Sequence, residues 1–272
     1  MTMISILGCG WYGLPLAKAL VNSGYEVKGS TTTAGKIEQL ANAGIEPYIL
    51  DLSADRSTFP DDFFDTDVLV IAIPPKTRSG EGEEYLSKME KVVASVKRHQ
   101  ISKVILISST GVYADMNKLV DENTPPAPDT TSGKILLAAE TLFQQQSGFK
   151  TAIIRFGGLV GPGRHPGRFF AGKQDVANGL APVNLIHLDD CIGITRAIID
   201  KNAYGHIFNA VAPHHPTRAD FYTQAAEKGG LALPGFILKL DNWKIVESKN
   251  VPRILAYEYQ TDDWYTALDH KF

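Results

Sequence analysis

The feature that most constrains this chain is a six-residue turn, Gly8-Cys9-Gly10-Trp11-Tyr12-Gly13. It follows the apolar run 4–7 and opens onto Leu14, Leu16, Ala17, Leu20 and Val21 at helical spacing. A G-x-G-x-x-G turn between a buried strand and a helix joins the two tightly. Its first glycine makes the turn, its second lets backbone approach a phosphate, and its third lets helix and strand pack closely. The helix N-terminus beyond it is a ready site for a pyrophosphate. Gly8, Gly10, Trp11, Tyr12 and Gly13 are therefore the first candidate cofactor contacts.

The alternation continues. Apolar runs at 25–29, 47–52, 68–73, 104–108 and 151–155 read as strands, and the patterns at 37–43, 85–98 and 132–145 as helices. Continuously apolar strands separated by helices predict a parallel sheet covered on both faces, with right-handed crossovers. The expected fold class is α/β, a Rossmann-type doubly wound sheet with a smaller C-terminal substrate lobe. Residues 1–156 would form the dinucleotide-binding domain, with 184–211 returning to it. Residues 157–183, dense in glycine and proline, and 212–272 would form the lobe.

Charge and composition exclude several partners. With 27 basic and 30 acidic side chains the formal net charge is −3, which offers no footprint for a nucleic acid or an anionic membrane. No apolar run approaches the roughly 20 residues that span a bilayer, and no signal pattern opens the chain, so a cytoplasmic location is expected. The two cysteines, Cys9 and Cys191, cannot build a disulfide framework, and the seven histidines lack metal-ligand spacing. No metal site is expected.

Cofactor choice in such folds is read at the end of the second strand, where a carboxylate would accept from the ribose hydroxyls of NAD. Here the segment is Lys28-Gly29-Ser30-Thr31-Thr32-Thr33 with Lys36 nearby. Hydroxyls and a cation suit a 2′-phosphate, so NADP is expected ahead of NAD, read by Ser30, Thr31, Thr32 and Lys36. The alternative is an ordinary turn in which Thr33 caps the next helix. Asp51, after the third strand, is a candidate adenine contact.

Further along, Ser108-Ser109-Thr110-Gly111-Val112-Tyr113 resembles the S-S-x-x-V-Y segment of the extended short-chain dehydrogenases/reductases, the NAD(P)-dependent epimerase/dehydratase family. Arg155 to Gly163 is similar to that family's R-x-x-x-x-x-G-P-G stretch, and Asn184 to Asp190 to its N-x-x-H-x-x-D segment. The ordered set spans most of the chain. Two departures stand out: Leu7 occupies the first position of the family's G-x-x-G-x-x-G, and its Tyr-x-x-x-Lys is replaced by Thr130-Thr131-Ser132-Gly133-Lys134.

The resemblance implies Ser109 as a substrate-oxygen ligand, Lys134 as a ribose ligand, and a homodimer through the helices at 85–98 and 132–145. An aliphatic hydroxyl cannot replace a phenol as proton donor, so the acid role passes to Tyr113, His165 or water. Arg164, His165, Arg168 and Phe169 lie in a glycine-punctuated loop suited to an anionic ligand. His187, beside Asp189 and Asp190, would organise that region, with Asp190 capping the next helix. An atypical NADP-dependent oxidoreductase or epimerase of a small polar or anionic metabolite is the leading reading. The alternative is an NADP(H)-binding sensor or scaffold without redox turnover.

Overall fold

A computed structural model describes residues 2–53, 60–75 and 82–272. In chain order the elements are β1 (Met3–Leu7), α1 (Gly13–Asn22), β2 (Glu26–Thr31), α2 (Ile37–Ala41), β3 (Glu46–Ile49), α3 (Asp61–Phe64) and β4 (Val68–Ile71). Then come α4 (Gly82–Arg98), β5 (Lys103–Ser109), β6 (Lys118–Val120), α5 (Thr131–Gln144), β7 (Lys150–Phe156), β8 (Gly158–Val160) and β9 (Leu185–His187). The chain finishes with α6 (Leu188–Asp200), β10 (Ile207–Ala210), α7 (Arg218–Lys228), β11 (Lys244–Val246), α8 (Asn250–Leu255) and α9 (Trp264–His270).

Seven strands form one sheet in the order β10-β7-β5-β4-β1-β2-β3. The pairs β1–β2, β1–β4, β2–β3 and β4–β5 are all parallel, with Ile4 opposite both Val27 and Val68. All of β4 is buried, as are the last four residues of β1. Strands covered by helices on both faces have no solvent side, which is why their sequences are apolar without alternation. The α/β doubly wound architecture is the one the sequence predicts. Among the described residues no helix is long and apolar enough to cross a membrane.

The chain divides into two compact units, the first comprising residues 1–112, 128–154 and 196–207, the second 113–127, 155–195 and 208–272. This differs from the sequence-based division, which assigned 113–127, 155–156, 184–195 and 208–211 to the first domain. Short-strand pairing accounts for the difference. In the second unit β6 runs parallel to β11, and β8 parallel to β9. Glu247 N donates to Val120 O at 2.8 Å and Asn117 N to Trp243 O at 2.8 Å. The second unit has its own core, in which Trp264 and Phe221 are fully buried among Val160, Leu185 and Leu268.

Candidate functional site

The first unit contains a cavity of about 380 Å³ at the C-terminal ends of β1 to β4, and its wall includes Gly8, Cys9, Gly10, Thr32, Lys36 and Asp51. The glycines act as their spacing requires. Gly8 has φ +104°, and a Cβ there would sit 2.7 Å from Ile73 Cγ2. At Gly13 a Cβ would lie 2.1 Å from Gly8 O, so α1 can enter only beside a bare Cα. Gly10 has no heavy atom within 4 Å of where its Cβ would be, so its backbone faces open space. No side chain caps α1, and its first turn holds no acidic residue, which leaves the positive helix end available to an anion.

The hydroxyls at the end of β2 divide into two groups. Ser30 is 2% exposed, and its Oγ accepts from Gly8 N at 2.9 Å while its carbonyl accepts from Cys9 N at 2.8 Å. Ser30 thus laces the glycine turn to β2. Thr31 is 8% exposed and its Oγ1 accepts from Thr33 N at 3.1 Å. Thr32, Thr33 and Lys36 are exposed on the wall. Thr33 stands at the N-cap position of the turn Ala34–Lys36 but makes no side-chain cap bond, so its hydroxyl is not used as the alternative sequence reading supposed. Asp51 lines the cavity and accepts from Ser53 N at 2.9 Å and Ser53 Oγ at 2.5 Å.

Trp11 is half-buried and Tyr12 buried, and both lie outside the wall. Cys9 belongs to it, but burial pushes its thiol up to about 12, so it stays a neutral packing group. Sequence reasoning missed the far side of the cavity, where Pro74, Pro75, Tyr85 and Lys88 take part. Lys88 Nζ lies 3.2 Å from Glu84 Oε2.

A second locus in this unit joins the end of β5 to the start of α5. Gly111 N donates to Ser109 Oγ at 3.1 Å. A Cβ on Gly133 would fall 2.2 Å from Gly111 O, so the helix bearing Lys134 is pressed directly against the turn bearing Ser109. The elements that carry these two expected residues therefore meet, with Lys134 exposed. Thr130, at the position of the family's tyrosine, is the N-cap of α5: its side chain accepts from Gly133 N at 3.1 Å.

In the second unit several expected roles change. Tyr113 is 1% exposed, and its hydroxyl accepts from Arg155 NH1 at 2.6 Å while lying 2.9 Å from Asp121 O and 3.1 Å from Asn209 Oδ1. Burial raises its phenol against the opposing pull of Arg155. Such a committed hydroxyl organises the interior and is not a proton donor to a ligand. His165 caps the short turn Pro166–Phe169, its Nδ1 accepting from Gly167 N at 3.1 Å. Desolvation, then Arg168, lowers its pKa, which disfavours the protonated form that the expected acid role needs. Arg164 and Arg168 are exposed, while Phe169 is half-buried against Tyr222 at 6.1 Å and serves as an anchor.

The N-x-x-H-x-x-D segment ties several strands and the chain end together. Asn184 Nδ2 donates to Lys244 O at 2.9 Å and its Oδ1 accepts from Val246 N at 2.8 Å. His187, 2% exposed, places Nε2 3.3 Å from Lys271 O and Nδ1 3.2 Å from Asp189 N. Asp190 does not cap α6. Fully buried, it accepts from Tyr257 OH at 3.0 Å, Gln260 N at 2.7 Å and Thr261 N at 3.2 Å.

Burial lowers the pKa of His165, His187 and His215. Each therefore takes up its proton later in the folded than in the unfolded chain. Their contribution to stability is complete above the unfolded value near 6.5 and is lost as pH falls below it. We expect the melting temperature to fall between pH 7.5 and 5.5, and His187→Gln to flatten that fall. A melting temperature that stays constant over this interval would contradict the assignment.

Known proteins resemble this chain in sequence and in fold. A family model described as NAD(P)H-binding matches residues 8–181. The chain is 41% identical over 269 residues, 97% of each chain, to Protein YeeZ of Escherichia coli (strain K12). Among solved structures, UDP-glucuronic acid 4-epimerase from Bacillus cereus, in complex with UDP-glucuronic acid and NAD, superposes with a TM-score of 0.81 at 20% identity, covering 98% of this chain and 96% of that one. A functionally unknown conserved protein from Silicibacter pomeroyi superposes with a TM-score of 0.77 at 20% identity, covering 99% and 97%.

Proposed function

The chain belongs to the NAD(P)H-binding family, and from that premise we propose that it is an NADP-dependent oxidoreductase or epimerase acting on a small polar or anionic metabolite in the cytoplasm. The observation that carries the reading is the end of β2. Thr32, Thr33 and Lys36 stand exposed on the cavity wall where NAD-selective folds place a carboxylate. A hydroxyl pair and an ammonium offer donors to a 2′-phosphate. The open face of Gly10 and the uncapped start of α1 suit the pyrophosphate. The dinucleotide, when bound, supplies hydride exchange. Lys134 holds the ribose beside the β5 turn, and Ser109 orients the substrate oxygen, its Oγ polarised by the Gly111 N–H. A homodimer through α4 and α5 is the expected assembly, and sedimentation that finds only monomer at micromolar concentration would remove it.

Calorimetric titration with NADPH and NADH tests the cofactor reading. We expect NADPH to bind more tightly, and Lys36→Gln to weaken NADPH about tenfold, equivalent to ~1.4 kcal/mol, with NADH unchanged. Equal affinities would remove the NADP preference, and binding of neither would remove the dinucleotide.

One observation favours a second reading. Thr130, standing at the tyrosine's position, spends its side chain on capping α5, which suits a dinucleotide-binding sensor or scaffold without redox turnover. Stereospecific hydride transfer from NADPH to any substrate would eliminate that reading.

A further inference from the structure

The second unit holds a positive centre that neither the cavity nor the β5 turn uses. Phe170 is half-buried, with its ring 4.8 Å from that of Tyr222 and 5.7 Å from that of Phe236. Two cations address this one ring. Lys173 Nζ lies 5.3 Å from its centroid and Arg218 Cζ 5.1 Å. Lys173 donates to Phe169 O at 3.2 Å and Arg218 NH1 to Ala177 O at 3.2 Å. Neither is ion-paired with a described residue. An ammonium carries three donors and a guanidinium five, so most of their donor capacity is unspent.

Both cations are held in place by backbone. Arg218 is the first residue of α7, its N–H bonded to Ala181 O at 2.9 Å, and Ala219 N donates to Gly179 O at 2.8 Å. The segment carrying Lys173 is fixed by Gly235 N to Lys173 O at 2.9 Å and by Val176 N to Gly235 O at 2.9 Å. The π face of Phe170 attracts each cation but does not cancel its charge. Two like charges held at one ring, neither ion-paired with a described residue, favour an anionic partner.

We propose that Lys173 and Arg218, positioned by Phe170, form an anion-binding site for the phosphate or carboxylate group of a small-molecule ligand. Identifying that ligand as the enzyme's substrate rests on the function proposed above, whereas the site itself does not. Of the pair, Lys173 lies in the loop that sequence analysis marked out, and Arg218 reaches it from α7.

The test is titration of the full chain with inorganic phosphate and, separately, acetate, followed by the amide resonances of residues 170–173 and 218. The titrations are run with and without saturating NADPH. We expect at least one of the anions to shift these resonances, with phosphate binding about tenfold tighter than acetate if the ligand carries a phosphate and the reverse order if it carries a carboxylate. Lys173→Gln and Arg218→Gln should each weaken binding about tenfold, Arg218→Lys should retain part of it, and Lys36→Gln should leave it unchanged. All variants should melt with the wild type. No shift with either anion in the wild type, or undiminished affinity in the Lys173→Gln/Arg218→Gln double variant, overturns the proposal. NADPH binding in the same samples reports separately on the cofactor reading.

Discussion

Gly10→Ala is expected to fold and melt like the wild type yet bind NADPH at least 100-fold more weakly, about 2.7 kcal/mol, while Gly13→Ala is expected to lose both binding and stability. The contrast comes from two glycines three residues apart. A methyl group at Gly10 meets nothing within 4 Å, and its backbone is not in the left-handed region, so the fold tolerates it within about 0.5 kcal/mol. That open space is where a pyrophosphate must approach the backbone. At Gly13 the same methyl lies 2.1 Å from Gly8 O, well inside contact distance and against rigid backbone. Helix and strand must separate, at a cost of about 1–3 kcal/mol or more, and the turn loses its shape with them. Thermal melting and NADPH titration of the two variants decide the matter. Wild-type binding by Gly10→Ala would mean that the turn is structural and the ligand lies elsewhere.

The largest loss of stability should follow Asp190→Ala. The carboxylate is fully buried and accepts three hydrogen bonds, two of them from backbone N–H groups of the segment between α8 and α9. Alanine leaves the Tyr257 O–H and two backbone donors without their carboxylate acceptor, each worth about 1–3 kcal/mol. A total on the order of 3–5 kcal/mol, or roughly 10 °C in melting temperature for a protein of this size, is expected. Asp190→Asn should fall only part of the way, since its amide keeps one acceptor oxygen but turns the other position into a donor facing donors. An alanine variant that melts within 2 °C of the wild type would show that the segment is held by its apolar contacts instead.

Much of the first unit was legible because burial on both faces writes itself into sequence as continuous apolar runs. Strands β1, β2, β4, β5 and β7 appear within a few residues of their expected places. The three-residue strands β6, β8, β9 and β11 were not legible, being too short for any periodicity. They are specified by distant side chains such as Asn184, which grips β11 at both Lys244 and Val246. The same distinction holds at the site. Gly8 and Gly13 could be picked out because the turn geometry admits no side chain there, and Gly10 because a phosphate must approach its backbone. Ser30, Thr31, Thr32 and Lys36 read alike as cofactor contacts, yet only the register of β2 against the turn decides that Ser30 and Thr31 are spent inward. Tyr113 and His165 were chosen for their chemistry, and their partners Arg155 and Gly167 show them to be committed to the interior and to a turn. Arg218 went unnoticed because nothing in sequence joins it to a loop so far upstream.

The cap at the start of α5 also bears on how such a protein can change over generations. Exchanging Thr130 for tyrosine would install a phenol but release Gly133 N, uncapping the helix at a cost of about 1 kcal/mol. The same step that installs the phenol therefore lowers the stability of the helix. A second change that re-caps the helix would offset that loss.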